Sequence, residues 1–78
     1  MPGIDSEIGE LRYKIGRVNL EINHLNKTLA VRKRNKVLTQ EEEDALNAQI
    51  AEKQAIIRKL EGEIRRIEVA EIRKKNFD

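Results

Sequence analysis

Cysteine and tryptophan are missing from this 78-residue chain, and proline, tyrosine, phenylalanine and histidine occur once each. Without cysteine there are no disulfides and no thiolate metal sites, and the single histidine, His24, cannot build a zinc centre of three or four protein ligands. Aromatics at 3% are too few to fill a mixed α/β core. No apolar run approaches the roughly 18 residues read as a membrane span. Met1, Pro2 and Gly3 lead straight into a patterned segment without the features of a signal peptide. A cytoplasmic protein with no membrane association is the expectation. Charge of one sign is also lacking: 16 basic against 14 acidic residues leave +2, too little to steer the whole molecule toward nucleic acid. There is no Ser and His arrangement, no glycine-rich phosphate loop and no focused set of carboxylates. The sequence therefore predicts no enzyme, no cofactor and no metal.

What is present is a beat. Ile4, Ile8, Leu11, Ile15, Val18, Ile22, Leu25 and Leu29 follow one another at alternating steps of four and three, the a/d seam of a coiled coil. The beat returns as Leu46, Ile50, Ile57, Leu60, Ile64 and Ile67, with Lys53 holding the one missing place. Charged residues at 38% complete a composition typical of such seams. The fold class expected is all-α, a single domain over residues 1–78. Below about 80 residues one core rarely supplies more than roughly 3–5 kcal/mol. Self-association is the remaining source of stability.

Asp5 or Ser6 can cap a first helix over about residues 5–34, with Glu7 and Glu10 placed in its positive first turn. Thr39 and Glu42 form a capping box for a second helix over about residues 39–76, leaving a turn over about 35–38. The heptad phase is the same on both sides of this segment, so one continuous helix is the alternative. That rod would seat Arg32, Lys36, Thr39 and Glu43 in succession along its core while Val37 and Leu38 pointed outward. A fold-back about Lys36, with Asn35 as the left-handed residue, avoids this and places residues whose numbers sum to about 72 at one level. Leu25 then lies near Leu46, Ile22 near Ile50, Ile15 near Ile57, Leu11 near Leu60, Ile8 near Ile64 and Ile4 near Ile67. On the flank Arg12 meets Glu61. Lys53 extends its stem along the seam toward a carboxylate such as Glu21, a polar core residue of the kind that fixes register or oligomer state.

The outward heptad positions, which should be solvated and long, carry glycine, alanine and leucine instead. Gly9, Gly16 and Leu20 stand there on the first helix, and Ala48, Ala51, Ala55 and Gly62 on the second. A helix-interior glycine costs about 1 kcal/mol relative to alanine, and close approach of another helix is one reason to keep it. These positions, beside the amides Asn19, Asn26, Asn47 and Gln54, form the expected interface of a homo-oligomer, most simply an antiparallel four-helix bundle. The competing reading is that the alanines are good helix formers and the glycines incidental.

Two clusters bear on ligands. Arg32, Lys33, Arg34 and Lys36 form a basic turn that can touch phosphates. They also sit at the negative end of the first helix, facing Glu41, Glu42, Glu43 and Asp44 at the positive end of the second, and this electrostatic reading is preferred. Tyr13, between Gly9 and Gly16, has Arg12 and Arg17 beside it, while Arg58 and Arg65 fold back to the same end. A ring and several cations are the ingredients for stacking a base and pairing its phosphates. A lone tyrosine on a packing face is more often an interface residue with its hydroxyl at the rim, and that reading is preferred.

The function predicted is that of a small oligomeric interaction protein, an adaptor, regulator or inhibitor whose partners are itself and another protein. The alternative is a binding protein for a nucleotide-like anion at an inter-protomer site, and nucleic-acid binding through the basic turn comes third. In architecture the chain resembles phage-encoded cyclic-nucleotide sponges, which are also small oligomeric helical hairpins. No motif carries that likeness residue by residue. What it implies is a nucleotide held where protomers meet, near Tyr13.

Overall fold

The two apolar seams face each other. Helix α1 spans Ile4–Arg34, helix α2 spans Gln40–Phe77, and the pair packs as an antiparallel hairpin. The computed structural model describes the backbone of residues 4–77 and the side-chain surroundings of residues 6–74. A continuous helix of about 70 residues would reach about 105 Å, whereas the longest dimension is 62 Å. The rod is thereby excluded. Helix α1 already includes Ile4, so Asp5 and Ser6 both lie inside the first turn and neither is the cap expected from the sequence. The side chain of Ile4 lies outside the described residues, and the expected Ile4–Ile67 contact lies there with it.

Three backbone bonds close α1. Asn35 N–H donates to the Val31 carbonyl (3.0 Å), Lys36 N–H to Lys33 (3.2 Å) and Val37 N–H to Arg32 (3.1 Å), the last two forming a Schellman motif. The left-handed residue in that motif is Lys36, with φ of 58°, and not Asn35 as expected. Helix end and helix start are placed symmetrically about Val37, because 34 and 40 sum to 74. The fold-back is thus centred one residue beyond Lys36. A non-glycine residue in this region costs roughly 1–2 kcal/mol. Lys36→Gly is therefore expected to stabilise the hairpin by about 0.5–1 kcal/mol, part of the relief being offset by the looser unfolded chain. Thermal melts at fixed protein concentration check this; a lowered midpoint would show that Lys36 contributes something its backbone geometry does not.

The core is thin. Ile22, Ile50 and Ile64 are buried at 8% exposure each, while Ile8, Leu11, Ile15, Val18, Leu25 and Leu29 of α1 and Leu46, Ile57, Leu60 and Ile67 of α2 are half-buried. Two helices cover a seam from one side only, so most of its side chains keep an open flank. The accessible surface is 6516 Å², against about 4,900 Å² for a compact monomer of 9.1 kDa. The radius of gyration, 18.0 Å, likewise exceeds the roughly 11–12 Å of a globular chain this long.

Candidate functional site

At the turn, the basic and acidic runs meet as the preferred reading anticipates. Arg32 Nη1 lies 2.9 Å from Glu42 Oε2, and Lys33 Nζ lies 3.0 Å from Glu43 Oε1. Two of the four turn cations are thus engaged by carboxylates, and all four stand exposed. The cap of α2 forms on one side: Glu42 N–H donates to Thr39 Oγ1 at 3.1 Å. The reciprocal half of the capping box is replaced, since the Glu42 carboxylate accepts from Arg32 across the turn (2.9 Å). A charge-assisted bond is stronger than one from a neutral backbone N–H, and closing the hairpin brings the guanidinium within reach. Gln40 Nε2 donates to Asp44 Oδ1 at 2.9 Å within the same first turn.

Lys53 occupies its place in the seam and reaches Glu21 at 2.7 Å, its side chain 34% exposed. The hydrogen bond from Lys53, then its charge, holds the Glu21 carboxyl below the usual carboxylate range; desolvation opposes them, and Arg17 adds the smallest pull downward. Beside this pair, Leu20, His24, Leu25 and Gln49 complete a shallow groove of about 390 Å³. His24 is exposed. Among the described residues no group of three or more His, Asp or Glu side chains is placed to hold a metal ion.

The residues expected around Tyr13 are divided between faces. Arg12 and Arg65 do come together, lining a groove of about 500 Å³ with Ile15, Ile64, Glu61 and Glu68. Glu61 and Glu68 balance their charge, and Arg12 and Glu61 share a flank as the levels require. Tyr13 stands 66% exposed on the outer side of α1 and is not part of that lining. Arg17 stands one turn before Glu21 on α1 and acts on that carboxylate, and Arg58 is exposed. Two of the five residues, Arg12 and Arg65, therefore share a groove within one protomer, and Tyr13, Arg17 and Arg58 are not part of its lining.

The outward positions of the expected interface are largely open to solvent. Gly9, Gly16, Leu20, Ala48, Ala51 and Ala55 are exposed and Gly62 is half-buried. A methyl group built on Gly9, Gly16 or Gly62 meets nothing within 4 Å. Packing of α1 on α2 thus places no demand on these glycines. A further groove escapes the sequence reading. It lies on α2, where Gly62, Val69 and Ala70 form a floor framed by Arg65, Arg66, Arg73 and Lys74, with a volume of about 740 Å³. The seven-residue spacings of Gly62 to Val69 and Arg66 to Arg73 are its signal in the sequence. No helix among the described residues is long and apolar enough to cross a membrane. No family model, curated protein or solved structure matches the chain.

Proposed function

We propose that this chain is a non-enzymatic interaction protein that works as a self-assembled bundle of helical hairpins and binds another macromolecule as an adaptor, regulator or inhibitor. The observation that supports this is surface. The hairpin exposes 6516 Å², about 1,600 Å² more than a compact monomer of its mass would. A stable interface takes about 800 Å² from each partner, so one hairpin carries surface enough for a second copy and a further partner. The thin core points the same way, because the three isoleucines buried among the described residues leave little reserve for a chain without cysteine.

Assembly then sets stability, and helicity should fall on dilution. Circular dichroism across a hundredfold range of concentration, read beside sedimentation equilibrium, tests the reading; the apparent melting temperature is expected to rise with concentration. A fully helical monomer at micromolar concentration, with a melting temperature independent of concentration, would refute it.

A further inference from the structure

The outer side of α2, opposite its seam, is sorted by charge. Ala55, Gly62 and Val69 recur every seven residues and so fall on one line along the helix. Lys59, Arg66 and Arg73 run beside that line at the same spacing, and Arg58 and Arg65 run along its other side. Seven residues rise about 10.5 Å, so the cationic rows keep step with the small residues between them. The last repeat is the groove framed by Arg65, Arg66, Arg73 and Lys74 over Gly62, Val69 and Ala70. No carboxylate lines it. The three ion pairs among the described residues lie elsewhere, two at the turn and one at Lys53. Of the carboxylates nearest in sequence, Glu61 and Glu68 line the opposite groove with Arg12, where Arg65 also reaches. Glu63 and Glu71 are half-buried, and neither lines the cationic groove. The macrodipole favours cations at the end of a helix, which accounts for Lys74 and its neighbour Arg73. Arg65 and Arg66 stand about three turns before the end of α2 at Phe77, beyond its reach.

Resting on the interaction reading above, whose macromolecular partner it specifies, we infer that this face docks an acidic amphipathic helix of another protein, its line of large apolar side chains flanked by carboxylates at the same seven-residue spacing. Charge complementarity selects an anion, and the apolar floor between two cationic rows selects one with an apolar line of its own. The floor is low. A methyl group built on Gly62 meets nothing within 4 Å, so the space suits a leucine brought by the partner as a knob enters a hole. A second copy of the chain is the wrong complement. A two-fold contact through this face would set cations against cations, and among residues 6–74 the one pair of carboxylates seven residues apart, Glu61 and Glu68, lines the other flank with Arg12. An anionic membrane is also a poorer match, because helices that adsorb there present Trp, Phe or Leu, whereas beyond Arg58 the large exposed apolar side chains described are Val69 and Ile72. A nucleic-acid strand would find no ring among the described residues of this face on which to stack a base, since Tyr13 stands on the outer side of α1.

The probe is a synthetic helical peptide of about three heptads, with leucine at one heptad position and glutamate at the two flanking ones. Its binding is followed by fluorescence anisotropy beside a scramble of the same composition, vesicles containing phosphatidylserine and a single-stranded oligonucleotide. The parent chain is expected to bind the peptide about tenfold more tightly than the scramble. Arg66→Glu is expected to weaken peptide binding by about tenfold, because reversal replaces attraction with repulsion. Lys27→Glu, the same change at an exposed residue of α1, should weaken it by less than about twofold. Gly62→Leu separates the groove from the fold: losing a helix-interior glycine should raise the melting temperature, while the filled floor should weaken the peptide by about tenfold. Circular dichroism shows that each variant is folded. Equal binding of peptide and scramble, binding insensitive to Arg66→Glu or to Gly62→Leu, or no binding of the peptide would overturn the inference. So would tighter binding of the vesicles or the oligonucleotide that Arg66→Glu abolishes. Sedimentation of the same samples keeps self-assembly apart: a helical monomer that binds the peptide would refute the bundle and leave the docked helix standing, whereas an oligomer that binds no peptide would refute the docked helix alone.

Discussion

Ile50→Asp is expected to abolish the helical fold at concentrations where the parent chain is fully folded. Ile50 is one of three side chains buried to 8% exposure. Its removal forfeits about 1.5–3 kcal/mol of apolar burial, and an unpaired carboxylate left in its place costs about 3–5 kcal/mol more. Together these exceed the roughly 3–5 kcal/mol that a core of this size supplies. Val37→Asp is the matched control. Val37 is 62% exposed beyond the end of α1, and the change there should stay within about 0.5 kcal/mol. Far-ultraviolet circular dichroism with thermal melts distinguishes the two. Similar melting temperatures for both variants would mean that the seam is not the core.

Lys53→Leu is expected to act in the opposite direction and to change the assembly. The substitution completes the apolar beat of α2 and adds about 1–2 kcal/mol of burial at a place already two-thirds covered. The ion pair given up is half-exposed and contributes little. What is lost is discrimination. An unbroken seam accepts alternative registers and partner numbers that a lysine in the core penalises, so sedimentation should show a broadened or shifted distribution of species.

The pH dependence of this pair follows from Glu21. Its folded pKa lies below the ordinary value, so the contribution of the pair is present above the ordinary carboxylate range and is lost as pH falls through the folded value. The stability advantage of Lys53→Leu over the parent should therefore widen on acidification. A constant difference from neutral to acid pH would show that the contact is not an ion pair in solution.

Much of the hairpin is legible in the sequence because its signals are periodic or local. The alternating seam marks both helices, Thr39 marks the start of α2, and the lysine in the seam has a carboxylate within reach of its stem. The turn is harder to read. Asparagine is the better left-handed residue, but the residue that takes that conformation is decided by how many positions are needed to swing one seam onto the other. That requirement selects Lys36. Glu42 illustrates a second limit: its local partner, the Thr39 N–H, loses to Arg32, ten residues away in sequence, once the chain has folded back.

The candidate ligand site shows a third. Arg12, Tyr13 and Arg65 share a level along the hairpin, and matching levels correctly joins Arg12 to Arg65. Angle around the helix is a separate coordinate. Tyr13 sits where a helix faces away from its partner, so proximity in level gives it no contact with the groove. The cation-framed groove of α2 is hidden for a related reason. Arg66, Arg73 and Lys74 read as ordinary solvated charges until their long arms are seen standing around Gly62, Val69 and Ala70.

The five residues between Arg34 and Gln40 also govern which molecule a helix pairs with. Both seams keep one heptad phase, so a chain that straightened through residues 35–39 would present the same apolar stripe to a helix from another molecule, the exchange known as domain swapping. In the closed hairpin, the short connection offers α2 to α1 at an effective concentration in the millimolar range or above. Exchange becomes competitive only when the chain itself approaches such concentrations or when the turn is weakened. The left-handed Lys36 and the half-formed cap at Thr39 therefore set a threshold in protein concentration, below which each chain completes its own helix pair.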